Sequence, residues 1–166
     1  TFVTGLRAIM RQDPNVIAVG EMRDAETVRT ALQAALSGSM VFSTLHSRDA
    51  INTIVRLLDM GVEPFFIATA LTGVVSQRLV RVICKVCKGR GCQQCSNIGF
   101  RKRTGIFEIL KISDIMRALI LKRASADELK TAAVEQGMIS FSKSLEPLLA
   151  SGLTTQEEID RVLALQ

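Results

Sequence analysis

Two groups of residues in this chain have the types and spacing that do chemistry. The first is Val16-Ile17-Ala18-Val19-Gly20-Glu21, where four apolar residues read as a short buried strand and a carboxylate sits just past its end. In nucleotide-hydrolysing α/β domains, a carboxylate at that place orients and activates a water against a terminal phosphate, with magnesium nearby. A second strand, Met40-Val41-Phe42-Ser43-Thr44-Leu45, ends in His46, the one histidine of the chain. As neighbours, the two strands would deliver Glu21 and His46 to the carboxyl-end edge of a sheet, where open α/β sheets place their ligands. The competing reading is plainer. Glu21 would begin a solvated loop beside Arg23 and Asp24 as ordinary surface charge, and His46 would be a hydrogen-bonded structural group.

The second group is Cys84-x2-Cys87-x4-Cys92-x2-Cys95. Two Cys-x-x-Cys knuckles supply four thiolates, which suits tetrahedral zinc. Gly89 and Gly91 give the short connection the freedom to fold back. The tight spacer leaves an iron–sulfur cluster or reduced free thiols as alternatives. Four cysteines close a coordination shell and leave no position for water, so a structural role is expected. Pairs this close do not suit a secreted disulfide scaffold, and they favour a reducing cytosol.

The elements that must position these residues follow from punctuation and period. Phe2 to Met10 reads as a helix with Arg7 and Arg11 four apart on one face. Gln12-Asp13-Pro14-Asn15 is a turn. Asp24 is placed to cap a helix from Ala25 to Ser37, with Val28, Leu32, Ala35 and Leu36 at helical spacing and Gly38 as its stop. Asp49 is placed to cap another, carrying Ile51, Ile54, Val55 and Leu58 and ending at Gly61. Strand–helix–strand–helix argues for α/β layering. Phe65 to Arg81 is apolar nearly all round until Gln77-Arg78 and predicts a buried helix. Gly105 to Leu110 predicts a strand. Short helices follow, with capping boxes at Ser125-x-x-Glu128 and Thr155-x-x-Glu158 and stops at Gly137 and Gly152.

With 166 residues the chain can bury one core, or one core and a satellite. A hydrophobic content of 48% excludes disorder. No apolar run approaches the roughly 20 residues of a membrane helix. The formal charge of +5 is concentrated: from Gln77 to Thr104 there are eight Lys or Arg residues and no acid. That block is a candidate contact for phosphate, a membrane surface or an acidic partner, or else a solvated basic loop. Gly137 to Ser144 imitates a phosphate loop but follows a helix and no strand, so it is rejected, with Phe141 assigned to the core. No Gly-x4-Gly-Lys-Ser/Thr loop is present anywhere in the sequence.

The motifs also occur in a telling order. Leu6-Arg7-Ala8-Ile9-Met10-Arg11-Gln12-Asp13-Pro14 leads to Gly20-Glu21-Met22-Arg23-Asp24, then Ser43-Thr44-Leu45-His46, Arg56 to Pro64, Gln77-Arg78-Leu79-Val80-Arg81, the cysteines and Arg103-Thr104-Gly105-Ile106-Phe107-Glu108. This series resembles the type II secretion and type IV pilus assembly ATPases, the traffic-ATPase family, along essentially the whole chain. The resemblance implies an α/β fold: the C-terminal part of a RecA-like P-loop ATPase domain, with a tetracysteine zinc-binding element and a small helical C-terminal subdomain. The expected division is 1–82 for the ATPase core, 83–103 for the metal element and 104–166 for the mainly helical part. The phosphate loop and aspartate box would lie upstream of Thr1.

By resemblance, Glu21 is the Walker B carboxylate that polarises the attacking water, and His46 closes a histidine box that senses the terminal phosphate. Arg7 and Arg11 match arginines toward the nucleotide or subunit boundary. Gln77 and Arg78 match a stretch near the nucleotide pocket. Cys84, Cys87, Cys92 and Cys95 are the metal ligands. The implied cofactors are ATP and Mg2+ in the full-length protein, and Zn2+. The implied assembly is a homo-hexamer in the cytoplasm, peripheral at the inner face of the bacterial inner membrane. Its partners would be an inner-membrane platform protein and a cytoplasmic adaptor, with no nucleic acid. The retraction branch generally lacks the four cysteines, so secretion or pilus assembly is favoured. Asn15 departs from an aspartate often found there, and the spacer between cysteine pairs is short, which leaves the subfamily open. The alternative function is a zinc-ribbon module that binds nucleic acid through the basic block; a chaperone-type zinc finger is matched only once, between Cys84 and Gly91.

Overall fold

The computed structural model describes residues 2–164, without the side chain of Phe2. Residue contacts divide the chain into two compact units: residues 1–74 with 110–137, and residues 75–109 with 138–166. The stretch from 104 to 166 therefore contributes helices to both.

In the first unit, helix α1 (Phe2–Met10) precedes strand β1 (Val16–Val19), helix α2 (Ala25–Leu36) and strand β2 (Met40–Ser43). The strands pair in parallel, Val16 opposite Met40 through Val19 opposite Ser43. Parallel neighbours need a crossover, and α2 supplies it. It starts where the sequence predicts. Asp24 Oδ1 accepts the Thr27 amide at 2.8 Å, and Asp24 Oδ2 accepts the Thr27 hydroxyl at 2.8 Å. Its buried stripe is Val28, Ala31, Leu32 and Ala34; Leu36, expected inside, is exposed. Leu6, Ile17, Val19, Ala31 and Ala34 form the core here. Strand β1 is buried on one face only. Ile17 and Val19 point inward, while Val16 is 60% exposed, so the fully buried strand read from four apolar residues is corrected to a half-buried one.

Helix α3 (Ala50–Asp59) is capped by Asp49, whose Oδ1 accepts the Asn52 amide at 2.7 Å. Helix α4 (Pro64–Ala70) then ends early, and the expected helix through Arg81 is overturned: strand β3 (Gly73–Ile83) begins instead. The β-branched Val74 and Val75 and an alternation of exposure beyond them suit a pleated strand better than a helix. Arg117 closes the end of α4 by hydrogen bonding to the carbonyls of Ala68 and Thr69. Helices α5 (Asp114–Leu121) and α6 (Ala126–Glu135) complete this unit, and the capping box at Ser125 and Glu128 is formed.

Strand β3 pairs with β4 (Phe100–Lys111). Ile112 donates to the Thr72 carbonyl at one end and Cys84 to the Gly99 carbonyl at the other, so the two run antiparallel. In the second unit, helices α7 (Phe141–Ala150) and α8 (Gln156–Leu163) pack Phe141, Leu145, Ile159 and Val162 against Val80 and Ile106. Phe141 is core, as expected, and Ser140 caps α7.

The second predicted capping box is half formed. Thr155 caps the Glu158 amide, but the Glu158 side chain turns inward, where it is fully buried. Its Oε1 accepts the Arg81 amide at 2.9 Å, and both oxygens accept from the Arg161 guanidinium at 2.7 Å. Arg81 Nε adds a bond of 2.8 Å. Hydrogen bonds from Arg161 first, and from Arg81 next, outweigh burial and lower the carboxyl to about 2. A folded value below the unfolded one stabilises the protein above about pH 4.5, and that contribution is lost as pH falls toward 2. Glu158→Gln is therefore expected to cost about 3 kcal/mol at pH 7 in urea unfolding, since it leaves two arginines without their counter-charge. The variant should also lose most of the acid-side slope between pH 4.5 and 2.

Candidate functional site

The β1–β2 pairing continues past both strands. Met22 donates to the Thr44 carbonyl at 3.0 Å, and the Thr44 hydroxyl donates to the Gly20 carbonyl at 2.7 Å. These bonds lock the two carboxyl-end loops together and bring Glu21 beside His46. His46 Nε2 lies 2.8 Å from Glu21 Oε1, but off the direction an N–H needs to donate. That oxygen is buried and accepts no hydrogen bond. The other oxygen is held from the opposite side by Arg23, through Nε at 2.7 Å and the terminal nitrogen at 2.6 Å.

Hydrogen bonding from Arg23 is the main influence on Glu21 and lowers its pKa. Partial burial opposes it, and the charges of Arg23 and His46 lower it further. Glu21 is thus a carboxylate, able only to accept, with one oxygen held by Arg23 and the other beside His46. The His46 side chain is 87% exposed and borders a cleft of about 540 Å3 lined also by Arg48, Asn52 and Arg56.

Arg7 pairs with Glu26 at 3.5 Å on the surface, and Arg11 is exposed in the turn after α1. Gln77 and Arg78 belong to the second unit. There Arg78 donates to the Val162 carbonyl at 2.7 Å and lies 4.6 Å over the Phe141 ring, while Gln77 is exposed beside Gly105. Arg23, surface charge in the plainer reading of the sequence, is the main partner of Glu21. The i, i+2 spacing from Glu21 beyond a strand end was the available signal.

The four cysteines converge. Their sulfurs all lie within 4.8 Å of one another, with separations of 3.9 Å for Cys84–Cys92, 3.8 Å for Cys87–Cys95 and 3.7 Å for Cys92–Cys95. Zinc–thiolate bonds of about 2.3 Å in a tetrahedron require sulfurs roughly 3.8 Å apart, so the cluster fits that ion. The amides of Cys92 and Gly99 donate to Cys95 Sγ at 3.3 Å, the second shell a thiolate needs. Burial raises the Cys95 thiol, but these amides outweigh it and bring it to about 6; burial pushes Cys92 up to about 11. Gly99, not singled out from sequence, is required here. Its φ is +79°, and a Cβ would lie 2.4 Å from the Gly89 carbonyl oxygen.

Comparison with known proteins agrees with these motifs. The family model described as "Type II/IV secretion system protein" matches residues 1–161. Type II secretion system protein HxcR of Pseudomonas aeruginosa is 45% identical over 170 residues, covering 98% of this chain and 36% of the relative. Type IV pilus assembly ATPase PilB of Thermus thermophilus is 40% identical over 186 residues, covering 96% of this chain and 21% of the relative. Among solved structures, the pilus retraction motor PilT with bound ADP superposes with a TM-score of 0.77 at 34% identity, over 98% of this chain and 43% of that one. The α/β ATPase fold expected from the motif order is borne out by these neighbours. The chain belongs to the type II/IV secretion system protein family.

Proposed function

We propose that this chain is part of an ATP-driven motor for type II protein secretion or type IV pilus assembly, in which Glu21 orients the water that attacks the terminal phosphate of ATP. The observation that carries this reading is the Glu21 carboxylate at the carboxyl end of β1, clamped by Arg23 through one oxygen and with His46 Nε2 2.8 Å from the other. A carboxylate held by Arg23 is fixed in direction, and a water donating to it is positioned without being deprotonated beforehand. Such positioning is much of phosphoryl-transfer catalysis. His46, exposed at the same edge, is assigned to the terminal phosphate. Arg7, Arg11, Gln77 and Arg78 are assigned to the nucleotide or subunit boundary.

Magnesium, when bound with ATP, neutralises charge on the phosphates. Zinc, held by Cys84, Cys87, Cys92 and Cys95, would be structural, because four thiolates leave it no open position. The working form is read as a homo-hexamer in the cytoplasm at the inner face of the inner membrane, acting on a membrane platform protein with a cytoplasmic adaptor.

Phosphates in this class of enzyme are cradled by a Gly-rich loop and its lysine, and this sequence has no such loop. The 166-residue chain by itself is therefore expected to give no magnesium-dependent ATP turnover above background. Turnover that Glu21→Gln abolishes in this chain alone would contradict the assignment of the phosphate loop elsewhere. The nucleic-acid alternative loses its stacking platform: Phe100, the one aromatic of the basic block, lies under the Arg81 guanidinium at 4.4 Å.

A further inference from the structure

We propose that the cleft between β3, β4 and α8 binds an organic phosphate, a small molecule whose phosphate monoester is held by Arg81, Arg103 and Arg161 and whose apolar part lies on Leu79. The cleft measures about 550 Å3 and is lined by Arg78, Leu79 and Arg81 from β3, Arg103 from β4, and Arg161 and Val162 from α8. All six belong to the second unit. Arg78 is engaged by the Val162 carbonyl and the Phe141 ring, and the proposal does not depend on it. The other three guanidiniums stand against one carboxylate, the buried Glu158, which leaves a net charge of about +2.

Two of the three are fixed before any ligand arrives. Glu158 Oε2 accepts from Arg81 Nε at 2.8 Å and from Arg161 Nε at 2.7 Å, so the two guanidiniums stand side by side. Arg81 also lies over the Phe100 ring at 4.4 Å. Their bonds to Glu158 use Nε and one terminal nitrogen of each, and the other terminal nitrogen has no partner among the described residues. Arg103 is exposed, and its side chain makes no hydrogen bond or ion pair among them. A phosphate monoester has three acceptor oxygens and a charge of roughly −2, which matches three donor groups and the net charge. A carboxylate offers two oxygens and a single charge, so phosphate is selected over an acidic side chain. The cleft is larger than a phosphate group, and Leu79, 48% exposed, gives the rest of the molecule an apolar wall. Glu21 and His46 take no part, so a failed turnover assay would leave the proposal standing.

The test is an NMR titration of the zinc-loaded 166-residue chain with phenyl phosphate, inorganic phosphate and phenylacetate. Phenyl phosphate is expected to shift the Nε–H signals of Arg81 and Arg161 and the Leu79 amide, and to bind more tightly than either of the others. Arg103→Gln should weaken it about tenfold, the loss of one hydrogen bond to a charged group, with the spectrum of the unbound chain otherwise kept. Arg103→Lys, which keeps the charge but not the fork, should lose less. Lys122→Gln, an equal loss of charge in the first unit, should change nothing. Five results would overturn the proposal: no shift at millimolar phenyl phosphate, shifts confined to the cysteine knuckle or the Glu21 edge, phenylacetate binding as tightly as phenyl phosphate, inorganic phosphate doing so, or undiminished binding by the Arg103→Gln variant.

Discussion

Removing metal from Cys84, Cys87, Cys92 and Cys95 is expected to unfold the connection between β3 and β4 while α7 and α8 stay packed. The connection has almost no core of its own. Apart from Gly99, its buried residues are Cys84, Cys87 and Cys95, with Cys92 packed against them. Ordering a backbone costs about 1–2 kcal/mol per residue, and no apolar cluster offsets that cost here. A tetrathiolate metal supplies on the order of 10 kcal/mol in small domains of this kind, most of which appears as folding. Helices α7 and α8 draw instead on Phe141, Leu145, Ile159 and Val162, which do not depend on the cysteines. Hydrogen exchange with and without chelator reads both parts. Loss of protection at the Cys92 and Gly99 amides, which point at Cys95 Sγ, is the expected result, with protection kept in α7 and α8. Protected knuckle amides in metal-free protein would contradict a structural metal. Cys84→Ser should reproduce the chelated pattern.

Much of the site was legible because its signals are local. The Asp24 and Asp49 caps, the Gly38 and Gly61 stops and the two short strands each depend on a few adjacent residues, and the Cys-x-x-Cys pairs carry their geometry in their spacing. What was not legible depends on distant partners. Phe65 to Arg81 is apolar enough for a buried helix; it becomes α4 and β3 because β4, far along the chain, pairs with its second half. Glu158 satisfies a capping-box pattern, yet Arg81, 77 residues earlier, competes for its carboxylate and wins, a charged bond being stronger than one to an amide. Arg23 was visible as a charge, but its grip on Glu21 required the loop geometry that only the β1–β2 pairing sets.

In a protein extended upstream through the phosphate loop that the family resemblance implies, Glu21→Gln is expected to lower kcat by about 10²- to 10⁴-fold, the range for a positioned group that handles a proton in the transition state. The KM for ATP should change little, because Glu21 is assigned to the water and the phosphates are held elsewhere. The amide keeps an acceptor oxygen and the side-chain volume, so the fold and the Arg23 contact are largely preserved. What is removed is the carboxylate charge that polarises water. Arg23→Ala should act through Glu21: it frees the carboxylate, raises its pKa toward the ordinary carboxylate range, and so moves the acid limb of the pH–rate profile upward.

The most direct measurement is steady-state magnesium–ATP turnover of that upstream-extended protein beside its Glu21→Gln variant, with subunit mass recorded on the same samples. The account predicts magnesium-dependent hydrolysis by a hexamer, and a variant that assembles equally, with KM retained and kcat reduced at least a hundredfold. Turnover unchanged by the substitution, in protein that assembles normally, would contradict the placement of Glu21 at the attacking water and with it the motor reading of this site.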